Sequence, residues 1–121
     1  MVPERDVLVL RPSLELIEVG PAPTGRDAIA YVPQDKTVFS GDILFLEGHP
    51  IIWVGPVGNW IAACEKIEAM NVDVIVPGHG PITDKKGVAR LRDYLTYIRD
   101  EARQRYDAGM GALEAARDIS F

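Results

Sequence analysis

The 121-residue sequence has few of the residues that build most metal and disulfide sites. Cys64 is the single cysteine, so the chain forms neither an internal disulfide nor a Cys-x-x-Cys metal knuckle. That cysteine usage fits a reducing compartment, and we expect a cytoplasmic protein. His49 and His79 are the only histidines. Because a catalytic zinc site usually has three protein ligands, histidines alone cannot complete one in this chain.

Long apolar runs and an excess of cations are also missing. No stretch approaches the roughly 20 apolar residues that span a bilayer, and the N-terminus mixes charges of both signs, unlike a secretory signal. The formal net charge is −5. Nucleic acids and anionic membranes are bound mainly through lysine and arginine excess, so we expect neither as a partner. The length and the 47% hydrophobic composition predict one globular domain over residues 1–121.

Short β-type runs broken by glycine and proline fill the chain up to about residue 84. The predicted strands cover residues 7–10, 14–19, 27–32, 37–40 and 73–76, and residues 43–46 either continue the fourth strand or form a separate one. A turn at Gln34-Asp35-Lys36 predicts that the third and fourth strands form a hairpin. The run at 73–76 is β-branched, which predicts a buried strand.

Three helices are predicted. Asn59 follows a loop rich in glycine and proline over residues 47–58, and its side chain is suited to cap a helix over residues 59–70. Thr83 or Asp84 is expected to cap a long second helix, and Gly109 is placed to end it. A short last helix is predicted over the residues 112–117.

Asp42 and His79 are the strongest candidates for chemistry. Each follows a predicted strand and lies in a glycine-containing turn. A carboxylate and a neutral imidazole are good ligands for zinc and similar cations. The segment between the two residues has the length of a crossover, which brings the carboxyl ends of two strands to one edge of a sheet. We therefore predict that both are metal ligands; the alternative is that both turns are merely tight turns.

Three further residues are weaker candidates, and no catalytic residue is assigned. His49 lies in the glycine-rich loop and is a ligand, a substrate contact or a plain loop residue. Trp53 and Trp60 flank the second part of that loop, so they either line a substrate pocket or pack in a core or interface. Cys64 lies on the apolar face of its helix, which predicts inert packing.

Residues 31–42 and 74–80, with Gly20-Pro21-Ala22 and Thr24 before them, resemble the C-terminal half of the metallo-β-lactamase superfamily. Residues 52–63 are similar to its cyclase-like members. The resemblance implies an α/β fold, half of a four-layer αβ/βα sandwich, with a mixed sheet and helices on one face. It also implies metal-dependent hydrolysis of a small-molecule substrate with one or two divalent ions, typically zinc. By this resemblance, Asp42 matches a metal-bridging aspartate and His79 the last histidine ligand.

Two departures from the family pattern leave the activity open. The chain contains no His-x-His-x-Asp-His motif, and Pro23 stands where the resemblance expects another histidine. A sheet with helices on one face leaves its second face bare, so we expect a homodimer that completes the sandwich. Two copies of Asp42 and His79 would then supply four ligands.

Three interpretations follow from these departures. The chain is a metal-binding hydrolase with a site shared by a dimer, a non-catalytic structural or interaction protein that keeps the fold without metal, or a fragment of a longer hydrolase.

Overall fold

A five-stranded mixed sheet with helices on one side forms the part of the protein that the structure describes. The computed structural model describes residues 7–10, 14–19, 27–46 and 56–120. In chain order the elements are β1 (Val7–Leu10), β2 (Leu14–Glu18), β3 (Ala28–Val32), β4 (Thr37–Phe45), α1 (Val57–Glu68), β5 (Val74–His79), α2 (Lys85–Asp107) and α3 (Ala112–Asp118). The strands lie side by side in sequence order. The predicted α/β class and mixed sheet are confirmed.

The hairpin predicted for the third and fourth strands is present. β3 and β4 are antiparallel, with Tyr31 opposite Val38, and a 3₁₀ turn at Pro33–Asp35 joins them. Lys36 completes the turn with a left-handed φ of 48°. Its carbonyl accepts hydrogen bonds from the backbone N–H groups of Asp73 (2.8 Å) and Val74 (3.1 Å), so the turn also holds the start of β5.

The crossover that connects β4 to β5 contains helix α1, and the two strands are parallel. Residues 43–45 continue β4, so the alternative of a separate strand is wrong. The pairing begins regularly, with Val38 opposite Ile75, and its register shifts on either side of Gly41. Because parallel strands end at the same edge, the carboxyl ends of β4 and β5 lie together.

Helix α1 begins earlier than Asn59, and the predicted Asn59 cap is wrong. Val57 is the first helical residue and Pro56 is the N-cap, with an extended backbone at φ −68°. Proline restricts φ to about this value, so Pro56 sets the entry into the helix. Asn59 lies inside the first turn, where its backbone N–H donates to the Pro56 carbonyl at 3.0 Å.

The predictions for the later helices are confirmed. The Asp84 carboxylate accepts a hydrogen bond from the Lys86 backbone N–H at 2.9 Å and so caps α2. Gly109 follows the end of that helix with φ +87°, a conformation that glycine adopts without strain. None of the described helices combines the length and the apolar character that a membrane span requires.

The core lies between the sheet and the helices α1 and α2. An ion pair joins the two helices, because the Arg92 guanidinium donates to both carboxylate oxygens of Glu68 at 2.8 Å. Trp60 is the largest fully buried side chain, and its indole N–H donates to the Ile43 carbonyl at 2.7 Å. The buried apolar side chains are Ile29, Val38, Ile43, Leu44, Trp60, Ile61, Ala63, Cys64, Ile67, Val72, Ile75, Val88, Leu91 and Leu95.

Within the described part of the chain, only one face of the sheet contributes to this core. In β5, Ile75 is fully buried against the helices, whereas its neighbour Val74 is 37% exposed. In β4, Val38 is likewise buried and Phe39 is 46% exposed. The prediction that residues 73–76 form a buried strand is therefore correct for the face toward the helices and wrong for the opposite face, where Val74 is exposed. A β-branched run predicts a strand, but whether both of its faces are covered depends on elements elsewhere in the fold.

Glycine permits a very close approach of β4 and β5 at their carboxyl ends. A Cβ atom built on Gly78 would lie 2.6 Å from the carbonyl carbon and oxygen of Gly41. Gly41 has φ +56°, and both neighbouring register shifts occur there. The two strands can therefore touch at this point only because Gly78 has no side chain, whereas Gly41 is needed for its left-handed backbone, since a Cβ there would meet no atom within 4 Å.

The indole hydrogen bond can be tested by Trp60→Phe, which keeps an aromatic ring and removes the N–H. The buried Ile43 carbonyl loses this donor, so we expect the free energy of unfolding to fall by about 1–3 kcal/mol. Urea denaturation followed by far-ultraviolet circular dichroism measures the change. Tyr106→Phe is the control, because Tyr106 is 79% exposed. Equal stability of both variants would contradict the role of the bond.

The close approach of the strands can be tested by Gly78→Ala. The new methyl group would push β4 and β5 apart, and we expect a loss of about 1–3 kcal/mol of stability in the same denaturation assay. Gly58→Ala is the matched control, because a Cβ there meets no atom within 4 Å and Gly58 lies in a helix. We expect that variant to be as stable as the native protein or more stable. A Gly78→Ala variant of native stability would refute the packing argument.

Candidate metal site

The structure brings Asp42 and His79 together across the parallel pair. The Nε2 atom of His79 lies 3.2 Å from the Oδ1 atom of Asp42. Asp42 directly follows the glycine at the register shift in β4, and His79 is the last residue of β5. The two residues are 37 positions apart in the sequence. Their meeting therefore depends on the crossover, as the strand-and-turn pattern predicts.

Backbone contacts hold the His79 turn against the end of β4. The His79 carbonyl accepts a hydrogen bond from the Leu46 backbone N–H at 3.0 Å. Gly80 has φ +104°, and a Cβ atom there would lie 2.8 Å from the Cβ of Leu46. A residue with a side chain at position 80 would meet both a strained backbone and a steric clash. These contacts fix where the imidazole emerges from the sheet.

Ser40, two positions before Asp42, is a further residue of this region whose role the sequence does not predict. It is the one fully buried polar residue of the described core. Its hydroxyl lies within donating distance of the carbonyls of Gly41 (3.3 Å) and Val76 (3.4 Å). The hydroxyl therefore links β4 to β5 next to the irregular pairing. The signal in the sequence is a lone serine that separates an apolar strand from a Gly-Asp turn.

The pair is open to solvent and to a ligand. The side chain of His79 is 49% exposed and that of Asp42 is 62% exposed. Within residues 7–10, 14–19, 27–46 and 56–120, no third histidine, cysteine, aspartate or glutamate joins them in a metal-binding group. The described part of the chain thus offers two ligand atoms at this edge.

The distance between the two side chains fits a shared metal ion. Two ligands on one tetrahedral zinc ion, with bonds of about 2.0–2.2 Å, are separated by about 3.3–3.6 Å. The observed 3.2 Å between Nε2 and Oδ1 is close to that spacing. The same distance also fits a hydrogen bond from the imidazole to the carboxylate. The geometry therefore suits both a metal-bound and a metal-free pair.

Cys64 is not available as a ligand at this edge. The side chain is fully buried in α1. Burial, and secondarily the nearby Glu68 carboxylate, raises the pKa of the thiol to about 12. The sulfur is therefore protonated at neutral pH, whereas metals bind the thiolate. The prediction of inert packing for Cys64 is confirmed.

Of the weaker candidates, Trp60 lies within the described residues and does not join the pair. Trp60 is 1% exposed in the core, so it packs there rather than lining a substrate pocket. His49, Trp53 and Pro23 lie outside the described residues. An open cleft of about 570 Å³ lies elsewhere, and neither Asp42 nor His79 lines it; its lining residues are Arg90, Asp93, Tyr94, Tyr97 and Ser120.

Comparison with known proteins places this arrangement in a family. Residues 1–79 match the family model of the metallo-beta-lactamase superfamily, and that match includes both Asp42 and His79. A curated relative, the Beta-lactamase-like protein 2 homolog of Caenorhabditis elegans, is 27% identical over 99 residues. The matched region is 82% of this chain but 32% of the relative, so this chain spans well under half of that protein.

Solved structures share the fold at low sequence identity. The DIM-1 metallo-beta-lactamase superposes with a TM-score of 0.65 at 18% identity, covering 75% of this chain and 44% of that one. The sec-alkylsulfatase Pisa1 from Pseudomonas sp. superposes with a TM-score of 0.76 at 18% identity, covering 98% of this chain and 21% of that one. The cyclase-like grouping within the family stays a prediction. The family match, together with this fold, shows that the chain belongs to the metallo-beta-lactamase superfamily.

Proposed function

We propose that Asp42 and His79 are two ligands of a divalent metal site, with zinc as the favoured ion, in a metal-dependent hydrolase site that this pair alone does not complete. One observation carries the proposal: the imidazole Nε2 and the carboxylate Oδ1 converge to 3.2 Å at an exposed edge of the sheet. Membership of the superfamily supports it, because hydrolysis with a metal ion is the chemistry of that family. The substrate would be a small molecule.

Each residue has a distinct task in this proposal. The neutral imidazole of His79 donates a nitrogen lone pair to the ion, and the Asp42 carboxylate offsets part of its charge. When bound, the ion supplies Lewis acidity for hydrolysis. Ser40 and the glycines at positions 41, 78 and 80 keep the two side chains in register. They act by positioning, since Ser40 and Gly78 contact the backbone of β4 and β5 and Gly80 packs against Leu46.

Two ligands leave the site short of what catalysis needs. Catalytic zinc sites usually have three protein ligands and one open position. The described residues offer Asp42 and His79 at this edge. We therefore propose that further ligands come from a second copy of the chain across a dimer. A single chain is expected to bind zinc weakly by comparison.

A second candidate function is that of a non-catalytic structural or interaction protein. The observation that favours it is the contact between Asp42 and His79, which also satisfies a hydrogen bond without metal. The apolar sheet face would then be the functional surface. The interpretation as part of a longer hydrolase stays a prediction, as does the cytoplasmic location.

Zinc binding separates these candidates. We expect purified protein to bind zinc, and His79→Ala and Asp42→Ala each to weaken binding by at least about tenfold, because even loss of outer-shell partners of zinc ligands costs about 10- to 100-fold. Equilibrium dialysis followed by elemental analysis measures the affinity.

Asp35→Asn is the matched control for Asp42. Asp35 is an exposed carboxylate at the opposite end of β4, so we expect its replacement to leave zinc affinity unchanged. Native protein that binds no zinc would refute the metal-site proposal and favour the interaction protein. Zinc binding that survives both ligand variants would place the ion elsewhere in the molecule.

A further inference from the structure

The strand registers define an apolar surface on the side of the sheet opposite the helices, called here the open face. Alternate residues of a strand point to opposite faces, and the registers place Leu16, Ala30, Phe39 and Val76 in one row across four strands. The described residues that share this face are Leu14, Leu16, Glu18, Ala28, Ala30, Val32, Thr37, Phe39, Val74 and Val76.

The open face is accessible in the described structure. None of its side chains is buried, and Phe39 and Val74 are 46% and 37% exposed. Residues on the opposite side of β3, β4 and β5 are covered, since Ile29 is 1% exposed and Val38 and Ile75 are fully buried. No element within residues 7–10, 14–19, 27–46 and 56–120 covers the open face.

Ile82 extends this surface beyond the last strand. Thr83 pairs antiparallel with Ile75, whose side chain faces the helices. Since alternate residues of an extended segment point to opposite sides, the preceding Ile82 lies on the side of the open face. Its side chain is 68% exposed. The apolar surface of the open face thus continues from β2 to the segment that follows β5.

The chemistry of the open face suits a copy of itself. Its members are aliphatic or aromatic except for Thr37 and Glu18, and it carries no lysine or arginine. A partner that recognises this chain through its net charge of −5 would find little complementary charge here. Two identical apolar faces, in contrast, meet without repulsion over most of the contact, apart from Glu18. An isologous contact of this kind requires a self-complementary surface.

The open face also adjoins the incomplete metal site. β4 and β5 contribute Phe39, Val74 and Val76 to the face, and the same two strands carry Asp42, in the second half of β4, and His79, the last residue of β5. Sheets that pack face to face are separated by about 10 Å. A sheet docked here would therefore bring one of its own ends close to the pair.

We propose that a second copy of this chain packs its open face on this one, about a two-fold axis parallel to the strands. Only that orientation brings the carboxyl ends of β4 and β5 from both copies to the same end of the sandwich. Two Asp42 and two His79 side chains then surround one zinc ion. This inference rests on the proposed function for its metal site, and on the open face alone for the dimer.

The lengths of solved relatives bear on what covers the open face. The matched region is 44% of the DIM-1 metallo-beta-lactamase chain, so more than half of that single chain lies outside the match. A second copy of this chain would add a similar number of residues, a second apolar face and two further metal ligands.

Phe39→Lys tests the interface. A lysine at the centre of the open face would have to be desolvated on both sides of the dimer. We expect native protein to sediment at twice the 13.3 kDa of one chain and Phe39→Lys to sediment as a monomer. Tyr106→Lys is the matched control, because Tyr106 is an exposed aromatic on α2 outside the open face, and this variant should remain dimeric. Val74→Lys is a second interface variant in case Phe39→Lys fails to fold.

Zinc stoichiometry, measured on the same samples, tests the shared site. We expect one zinc per two chains in native protein, a dimer with at least about tenfold weaker zinc binding for His79→Ala, and at least a tenfold loss of zinc affinity in the folded Phe39→Lys monomer. A dimer that binds no zinc would refute the proposed function and leave the interface standing. Native protein that is monomeric, or a monomer that binds zinc as tightly as the dimer, would overturn this inference.

Discussion

The parallel pairing of β4 with β5 is the interaction on which the fold and the candidate site both depend. It lays the carboxyl ends of two distant segments at one edge, which an antiparallel pairing of the same strands would not do. The pairing is unusually tight at Gly41 and Gly78, where a Cβ on Gly78 would come within 2.6 Å of the opposite backbone. The carbonyl of Lys36, in the turn before β4, and the hydroxyl of Ser40, within β4, reinforce it.

In the described structure, the uncovered face of the sheet lies next to the metal site that has only two ligands. The helices cover one face of the sheet and leave the other accessible, and the edge that carries Asp42 and His79 offers two ligand atoms where catalysis needs more. A partner on the open face would remedy both, because the strands that build the site also contribute to that face. The hydrophobic effect would drive the association, and the metal would add to it only when dimer and site form together.

Local sequence patterns account for much of this structure. Asp42 and His79 could be paired from the sequence because each follows a predicted strand and the segment between them has the length of a crossover. The structure places both residues within longer strands instead, Asp42 inside β4 and His79 at the end of β5. The Asp84 cap and the Gly109 stop depend on a few neighbouring residues, so they too were predictable. The prediction that Asn59 caps α1 was wrong because Pro56, three positions earlier, is the N-cap. Several residues in this loop are suited to start a helix, and the sequence does not show which of them does.

Features that depend on distant parts of the fold were harder to predict. The exposure of Val74 is decided by what covers its face, and a β-branched run carries no information about that. Trp60 follows the glycine-rich loop in sequence, yet its indole is oriented inward by the Ile43 carbonyl. Ser40 gains its role from the Val76 carbonyl, 36 positions away.

X-ray diffraction at the zinc absorption edge, on crystals grown with zinc, tests the central claim most directly. The account predicts an anomalous peak about 2.0–2.2 Å from the ring nitrogen of His79 and from a carboxylate oxygen of Asp42. Crystals with this fold in which zinc binds elsewhere, or in which no peak lies at the pair, would contradict it.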